Sequence, residues 1–255
     1  MALELVTVPC LQDNYAYLLR DPSTGVVALV DAPEEGPILA ELAVRGWRLS
    51  KIMITHHHSD HVAGVTALAA TSGAKVVGAA ADAHRLPSLD RQLVPGDVVR
   101  IGSEAGVVID APGHTVGHIA FHFPDSGLVF TGDSLMAAGC GRLFEGTPAQ
   151  MWTTLSTLSA LPPGTLVCSG HEYTTGNLAF AATLEPGNPA LTSRIARVAE
   201  ARQMGRPTVP SRLSDELATN PFLRAGLPEM KAAIGMSGAP DAEVFAEIRA
   251  RKDRF

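Results

Sequence analysis

Residues 55–61 read THHHSDH, four histidines and an aspartate in seven positions, directly after the apolar run KIMIT at 51–55. KIMIT has the length and the β-branched content of a strand. If the chain stays extended beyond it, the side chains at 56 and 58 project to one side and that at 57 to the other. His56 and His58 then form a pair, and His57 is a spacer or a solvent-facing residue. Asp60 and His61 follow where the chain turns into a helix predicted over VAGVTALAAT, 62–71, so they offer donors in a second direction. A tetrahedral zinc ion takes four protein ligands in a structural site, or three and a water in a catalytic one. This stretch alone could fill one site.

Three other places repeat one local design. APGHTVGH (111–118) sets His114 in a glycine-rich turn after the strand-like VVIDA; FTGDS (130–134) sets Asp133 just past LVF; SGHEY (169–173) sets His171 at the end of LVC. Taken singly, His114 reads as a hydrogen-bonded turn residue, Asp133 as a cap, and His171 as a cap or a core imidazole. Taken together, five histidines and two aspartates exceed what one zinc ion needs. They suit two sites of three ligands each and one carboxylate shared between two cations, since a carboxylate has two oxygens to offer.

Working outward, short strands are predicted at 3–8, 15–20, 26–31, 75–78, 97–101, 107–111, 118–123, 128–132 and 165–169, with helices at 36–46 and roughly 148–160. Beyond about 173 the pattern turns helical, in TGNLAFAATL, ALTSRIARVAEARQMG and DAEVFAEIRARK, with no further strand expected. The expected organisation is therefore a sheet-containing domain over 1–172 and an α-helical domain over 173–255.

Composition narrows the function classes. A hydrophobic content of 46% supports a packed core, and a net charge of −6 argues against a nucleic-acid partner. No apolar run reaches membrane-spanning length, and the opening MALELVTVPCLQDN does not read as a leader. Three cysteines, Cys10, Cys140 and Cys168, form no C-x-x-C pair, which fits a reducing, cytoplasmic setting. Each is expected as a small buried side chain, with Cys140 near the site but not a ligand. His84 and His122 read as surface or strand-face residues, and His118 as either a partner of a ligand or a buried structural histidine. A monomer acting on a small molecule is expected.

The order H-x-H-x-D-H, GHT, GD, GHEY resembles the metallo-β-lactamase superfamily. The stretches LQDNYAYLL, GCGRLFEGT, GHEYT, TNPFLR and RARKD resemble its glyoxalase II branch, the hydroxyacylglutathione hydrolases, over essentially the whole chain. The resemblance implies an α+β fold, an αβ/βα sandwich of two mixed sheets flanked by helices, with a C-terminal helical domain. It implies two divalent metals, zinc foremost, with iron and manganese compatible. His56, His58 and His114 would bind the first, Asp60, His61 and His171 the second, and Asp133 would bridge. It implies hydrolysis of S-(2-hydroxyacyl)glutathione, chiefly S-D-lactoylglutathione, to D-lactate and glutathione, a step of methylglyoxal degradation. A metal-bridging hydroxide would attack the thioester, with Asp60 orienting it and taking its proton. Arg142, Tyr173, Arg249 and Lys252 would lie against the tripeptide. Phe144 stands where many relatives carry a tyrosine, so that hydroxyl contact is lost here. A glutathione persulfide dioxygenase of the same superfamily is the alternative, and the tail from 173 counts against it. A metal-binding module without catalysis would need no second set of ligands.

Overall fold

Strands β1 (Glu4–Cys10) and β2 (Asn14–Arg20) pair antiparallel, and β3 (Val27–Val30) joins β2 antiparallel. The chain then crosses through helix α1 (Glu35–Arg45) to β4 (Leu49–Met53), which runs parallel to β3. Helices α2 (Ser59–Val62) and α3 (Val65–Ser72) lead to β5 (Lys75–Ala79) and β6 (Arg91–Leu93), which extend the parallel run. A mixed six-stranded sheet results, in the order β1-β2-β3-β4-β5-β6. A second, antiparallel run is β10-β9-β8-β7, built from β7 (Val98–Ile101), β8 (Glu104–Asp110), β9 (Ile119–Phe123) and β10 (Leu128–Gly132).

This computed structural model describes residues 2–255. The elements so far make one compact unit, the chain up to Asp110 together with Gly117–Gly132; Ala111–Val116 and Asp133–Phe255 make a second. In the first unit β2 and β3 are buried on both faces, as near-continuous apolar strands should be. Ala16, Leu18, Leu29, Ile52 and Val76 pack with Ile38 and Leu42 of α1 and Val65 and Leu68 of α3. The opposite face meets the second sheet: Tyr17 of β2 lies edge-on to Phe130 of β10, ring centroids 5.5 Å apart. Phe121, Phe123 and Phe130 are fully buried there, each worth about 1.5–3 kcal/mol in surface removed from water.

The second unit holds the hairpin β11 (Leu135–Met136) and β12 (Gly139–Cys140), helix α4 (Pro148–Ser159), β13 (Leu166–Ser169), α5 (Thr174–Leu184), α6 (Pro189–Gln203), β14 (Ser211–Arg212), α7 (Leu213–Thr219), α8 (Pro228–Ala233) and α9 (Asp241–Arg254). The starts of α4 and α6 carry the expected chemistry: Thr147 and Gln150 form a capping box, and Asn188 accepts from Ala190 and Leu191. Among the described residues no helix is long and apolar enough to cross a membrane.

Two expectations need correction. The single helix foreseen from 62 is two helices, the first starting at Ser59, and the chain turns between them where Gly64 N–H donates to Ala32 O, 2.9 Å. The tail is not free of strands: β14 pairs with β13 through Leu166–Arg212 and Val167–Ser211. Two residues are too few to show a period.

Near β14 a buried charge organises the second unit. Glu216 is fully buried and accepts from Arg194 Nη2, from Ser211 Oγ at 2.6 Å and from Ala138 N at 2.7 Å. Glu216→Ala would leave the buried Arg194 without its counter-charge, an error worth about 3–5 kcal/mol. The unfolding midpoint in urea should fall accordingly; a loss below about 1 kcal/mol, the range of an exposed pair, would refute this account.

Candidate metal centre

The first unit brings together His56, His58, Asp60 and His61. β4 ends at Met53, and α2 begins at Ser59 with His58 at its N-cap, so Asp60 and His61 sit in the helix's first turn. His56 and His61 are buried. His56 Nε2 and His58 Nδ1 stand 3.1 Å apart. Two ligands each about 2.1 Å from one ion are separated by roughly 3.0–3.4 Å, depending on coordination angle, so this spacing is that of neighbours on a common cation.

Hydrogen bonds fix which nitrogen each ring offers. Asp31 Oδ1 accepts from Thr55 N at 2.8 Å, and its Oδ2 accepts from Thr55 Oγ1 at 2.7 Å and from His61 Nδ1 at 2.8 Å. A carboxylate only accepts, so His61 carries its proton on Nδ1 and presents a bare Nε2. Thr55 Oγ1 spends its hydrogen on Asp31, so toward His56 Nδ1, 3.1 Å away, it can only accept. His56 therefore also presents Nε2. Asp31, His56 and His61 bring ligand atoms within 4.8 Å of one another, but the bonds just described make Asp31 the holder of the imidazoles rather than a ligand. Asp31 stands at φ 55, a cost for a non-glycine residue that these bonds offset. The sequence reading passed over it; its signal was the aspartate ending VVALVD.

Asn14 was also passed over. Its Nδ2 donates to Asp60 Oδ2, 3.0 Å, which sets the rotamer of the proposed catalytic carboxylate. His118 is buried and stacks on His56, ring centroids 4.7 Å apart at 17°. His57, expected as a spacer or a solvent-facing residue, is partly buried, with Nδ1 3.3 Å from Asp82 Oδ2.

The second unit gathers His114, Asp133 and His171, all buried. His114 Nδ1 donates to Arg142 O at 2.7 Å, which again leaves Nε2 to face inward. That Nε2 is 3.5 Å from Asp133 Oδ2, and His171 Nε2 is 3.3 Å from the same oxygen. One carboxylate oxygen thus faces imidazoles assigned to two different metals. Asp133 is delivered by Gly132, at φ 46, where an added Cβ would stand 2.5 Å from Thr55 Oγ1. No other residue fits there.

The expected substrate contacts lie in the second unit. Tyr173 stacks on His171 at 4.6 Å and 8° and keeps part of its ring exposed. Phe144 is 63% exposed and sits edge-on to His114. Arg249 is buried, donating to Cys140 O at 3.0 Å and to Asp253 Oδ1 at 2.8 Å, so most of its fork is already engaged. Lys252 donates to Gly176 O at 3.1 Å and lies over the rings of Phe180 and Phe255. Burial, then the neighbouring Arg249 and Arg142, hold its ammonium below the usual lysine range. Burial pushes the Cys140 thiol up to about 11, the reverse of what activates a cysteine.

Residues 12–171 match the model of the metallo-beta-lactamase superfamily, and residues 172–255 match that of the hydroxyacylglutathione hydrolase C-terminus. A hydroxyacylglutathione hydrolase from Cereibacter sphaeroides is 68% identical over 255 residues, covering 100% of both chains. The BLEG-1 B3 metallo-beta-lactamase shares the fold, with a TM-score of 0.67 at 19% identity, covering 86% of this chain and 99% of its own. TTHA1623, solved in a di-iron-bound form, superposes with a TM-score of 0.58 at 30% identity, over 66% of this chain and 91% of its own. The expected α+β metallo-β-lactamase fold with a helical C-terminal domain is thus the one found, and the dioxygenase alternative is not favoured. With a match over each part of its length and a full-length relative at this identity, the chain belongs to the hydroxyacylglutathione hydrolases of the metallo-beta-lactamase superfamily.

Proposed function

We propose that the chain hydrolyses S-(2-hydroxyacyl)glutathione, with S-D-lactoylglutathione as the principal substrate, releasing D-lactate and glutathione. Two divalent metal ions would serve the reaction: His56, His58 and His114 would hold one, Asp60, His61 and His171 the other, and Asp133 would be the carboxylate shared between them. Zinc is the proposed metal, although imidazole and carboxylate suit iron and manganese as well. The observation that carries this reading is Asp133 Oδ2 standing 3.3–3.5 Å from both His171 and His114, the arrangement a shared carboxylate requires. Covalent continuity supports it too, because Asp133 follows Gly132, whose backbone is pressed onto Thr55 beside His56.

Bound divalent ions supply a Lewis acid for the thioester carbonyl and lower the pKa of a coordinated water from 15.7 to about 7. The protein does the rest. Asn14 holds the Asp60 carboxylate in place to orient the attacking water and accept its proton. A thiolate leaves without a strong general acid, so no further proton donor is required. Arg142 and Lys252 are the cations for the carboxylates of glutathione, with Arg249 holding α9 against Cys140 O. We assign substrate binding to a domain spanning 173–255 and catalysis to 1–172. A monomer in the reducing cytoplasm is proposed, in keeping with three buried cysteines that form no disulfide.

Purified protein should contain two metals per chain and release thiol from S-D-lactoylglutathione; chelation should abolish release and added zinc restore it. One metal per chain with oxygen consumed on glutathione persulfide would replace this reading by the oxidative one. Lys252→Ala should raise KM about tenfold or more, the scale of a lost charge-assisted hydrogen bond, with metal content unchanged. Because the Lys252 pKa is lowered, its positive charge is present below that pKa and lost above it. KM should therefore climb with alkalinity earlier than an ordinary lysine would dictate, and Lys252→Ala should flatten that climb. Phe144→Tyr should lower KM by about two- to tenfold if the missing hydroxyl contact is restored; an unchanged KM would remove position 144 from binding.

A further inference from the structure

Asp82 closes a short 3-10 turn (Ala80–Asp82) after β5, and its side chain is 1% exposed. A buried carboxylate needs partners to offset its desolvation. Arg85 Nε and Nη2 both donate to Oδ1, at 3.0 and 2.9 Å. Oδ2 is directed at His57 Nδ1, 3.3 Å away, and since a carboxylate only accepts, that nitrogen carries the proton. A Cβ at Gly117 would stand 2.2 Å from the same carboxylate, so the residue before His118 is packed directly on Asp82. His118 in turn stacks on His56. The ring of His56 is thus framed by two segments, His57 and Gly117–His118, that both rest on one buried acid.

We propose that Asp82 is a positioning residue for the metal-binding loop: anchored by Arg85, it holds His57 and thereby fixes the backbone of 56–58, keeping His56 Nε2 and His58 Nδ1 at the 3.1 Å spacing that one cation requires. Arg85 supplies a counter-charge at Oδ1, and the contact of Oδ2 with His57 ties this turn to the loop between two proposed ligands. Partners that hold ligands in place typically govern metal affinity by about 10–100-fold. The inference rests on the assignment of His56 and His58 as ligands, which metal binding by the unaltered chain tests separately.

Asp82→Asn keeps the shape and an acceptor for Arg85 but offers His57 an amide. Zinc affinity, by competition with a chromophoric chelator on the full chain, should fall about tenfold for at least one site. The visible bands of the cobalt-substituted protein should shift, and the metal-free His57→Gln protein, which keeps the Asp82–Arg85 pair, should melt where the unaltered one does. His57→Gln should give the same loss, and the double variant no more than either single one, as expected of two residues acting through one contact. Unchanged zinc affinity in Asp82→Asn overturns the proposal. So do additive losses in the double variant, or a metal-free His57→Gln melting temperature that falls in step with affinity. An unaltered chain that takes up no zinc removes the ligand assignment and this inference together.

Discussion

An imidazole can bind a cation only through a nitrogen that carries no proton, and neutral histidine has one such nitrogen to give. The rest of the site depends on this constraint, because each buried ligand ring needs a permanent acceptor behind it. The protein meets the need in three ways. Asp31 takes the proton of His61 directly, a threonine hydroxyl polarised by the same Asp31 takes that of His56, and the carbonyl of Arg142 takes that of His114. A backbone carbonyl cannot be protonated near neutrality or removed by a side-chain substitution, so His114 has the most robust of the three. Asp31 carries two rings at once, which accounts for its unfavourable backbone being retained.

The stretch from Ala138 to Arg142 shows how a remote buried charge reaches the ligands. Glu216 accepts from Ala138 N, Asn220 donates to Gly139 O at 2.9 Å, Arg249 donates to Cys140 O, and Arg142 O accepts from His114. Four of these five consecutive residues are pinned by these bonds, each through a backbone atom. Side chains along this stretch are therefore less constrained than the path they follow. That path joins an ion pair in the helical part of the second unit to the proposed ligand His114.

Much of this was legible in the residues. H-x-H-x-D-H after a strand, and histidine or aspartate just past three other strand ends, gave all seven proposed ligands, because ligand spacing and strand termination are local. The supporting residues were not legible in the same way. Asp31, Asn14 and Asp82 lie 30, 46 and 25 positions from their partners His61, Asp60 and His57, and nothing local marks a residue that will hold such a side chain from one that will cap a turn. Glu216 misleads for a different reason: in LSDELAT an acidic residue in the first turn of a helix reads as a solvated group, and only the arrival of Arg194 from another helix makes its burial tolerable. The strands of two residues, β11, β12 and β14, are held by neighbours and show no pattern of their own.

Helix α9 shows what spacing can and cannot say about a charge. Arg249 and Lys252 stand three apart and are expected on one face, and they do share surroundings, since burial and then the field of Arg249 hold the Lys252 ammonium below its usual range. Yet they differ in what they have left to offer. Arg249 is turned under the helix, over the ring of Phe222 at 5.1 Å, with its donors committed to Cys140 O and Asp253. Lys252 keeps a flexible stem and three donors, of which the carbonyl of Gly176 takes one. A planar fork already engaged is suited to fixing α9 in place, whereas a partly desolvated ammonium flanked by two guanidinium groups gains by taking up an anion. The proposed division of labour follows from the side chains themselves: the rigid cation is suited to hold the wall, and the flexible one to meet a carboxylate.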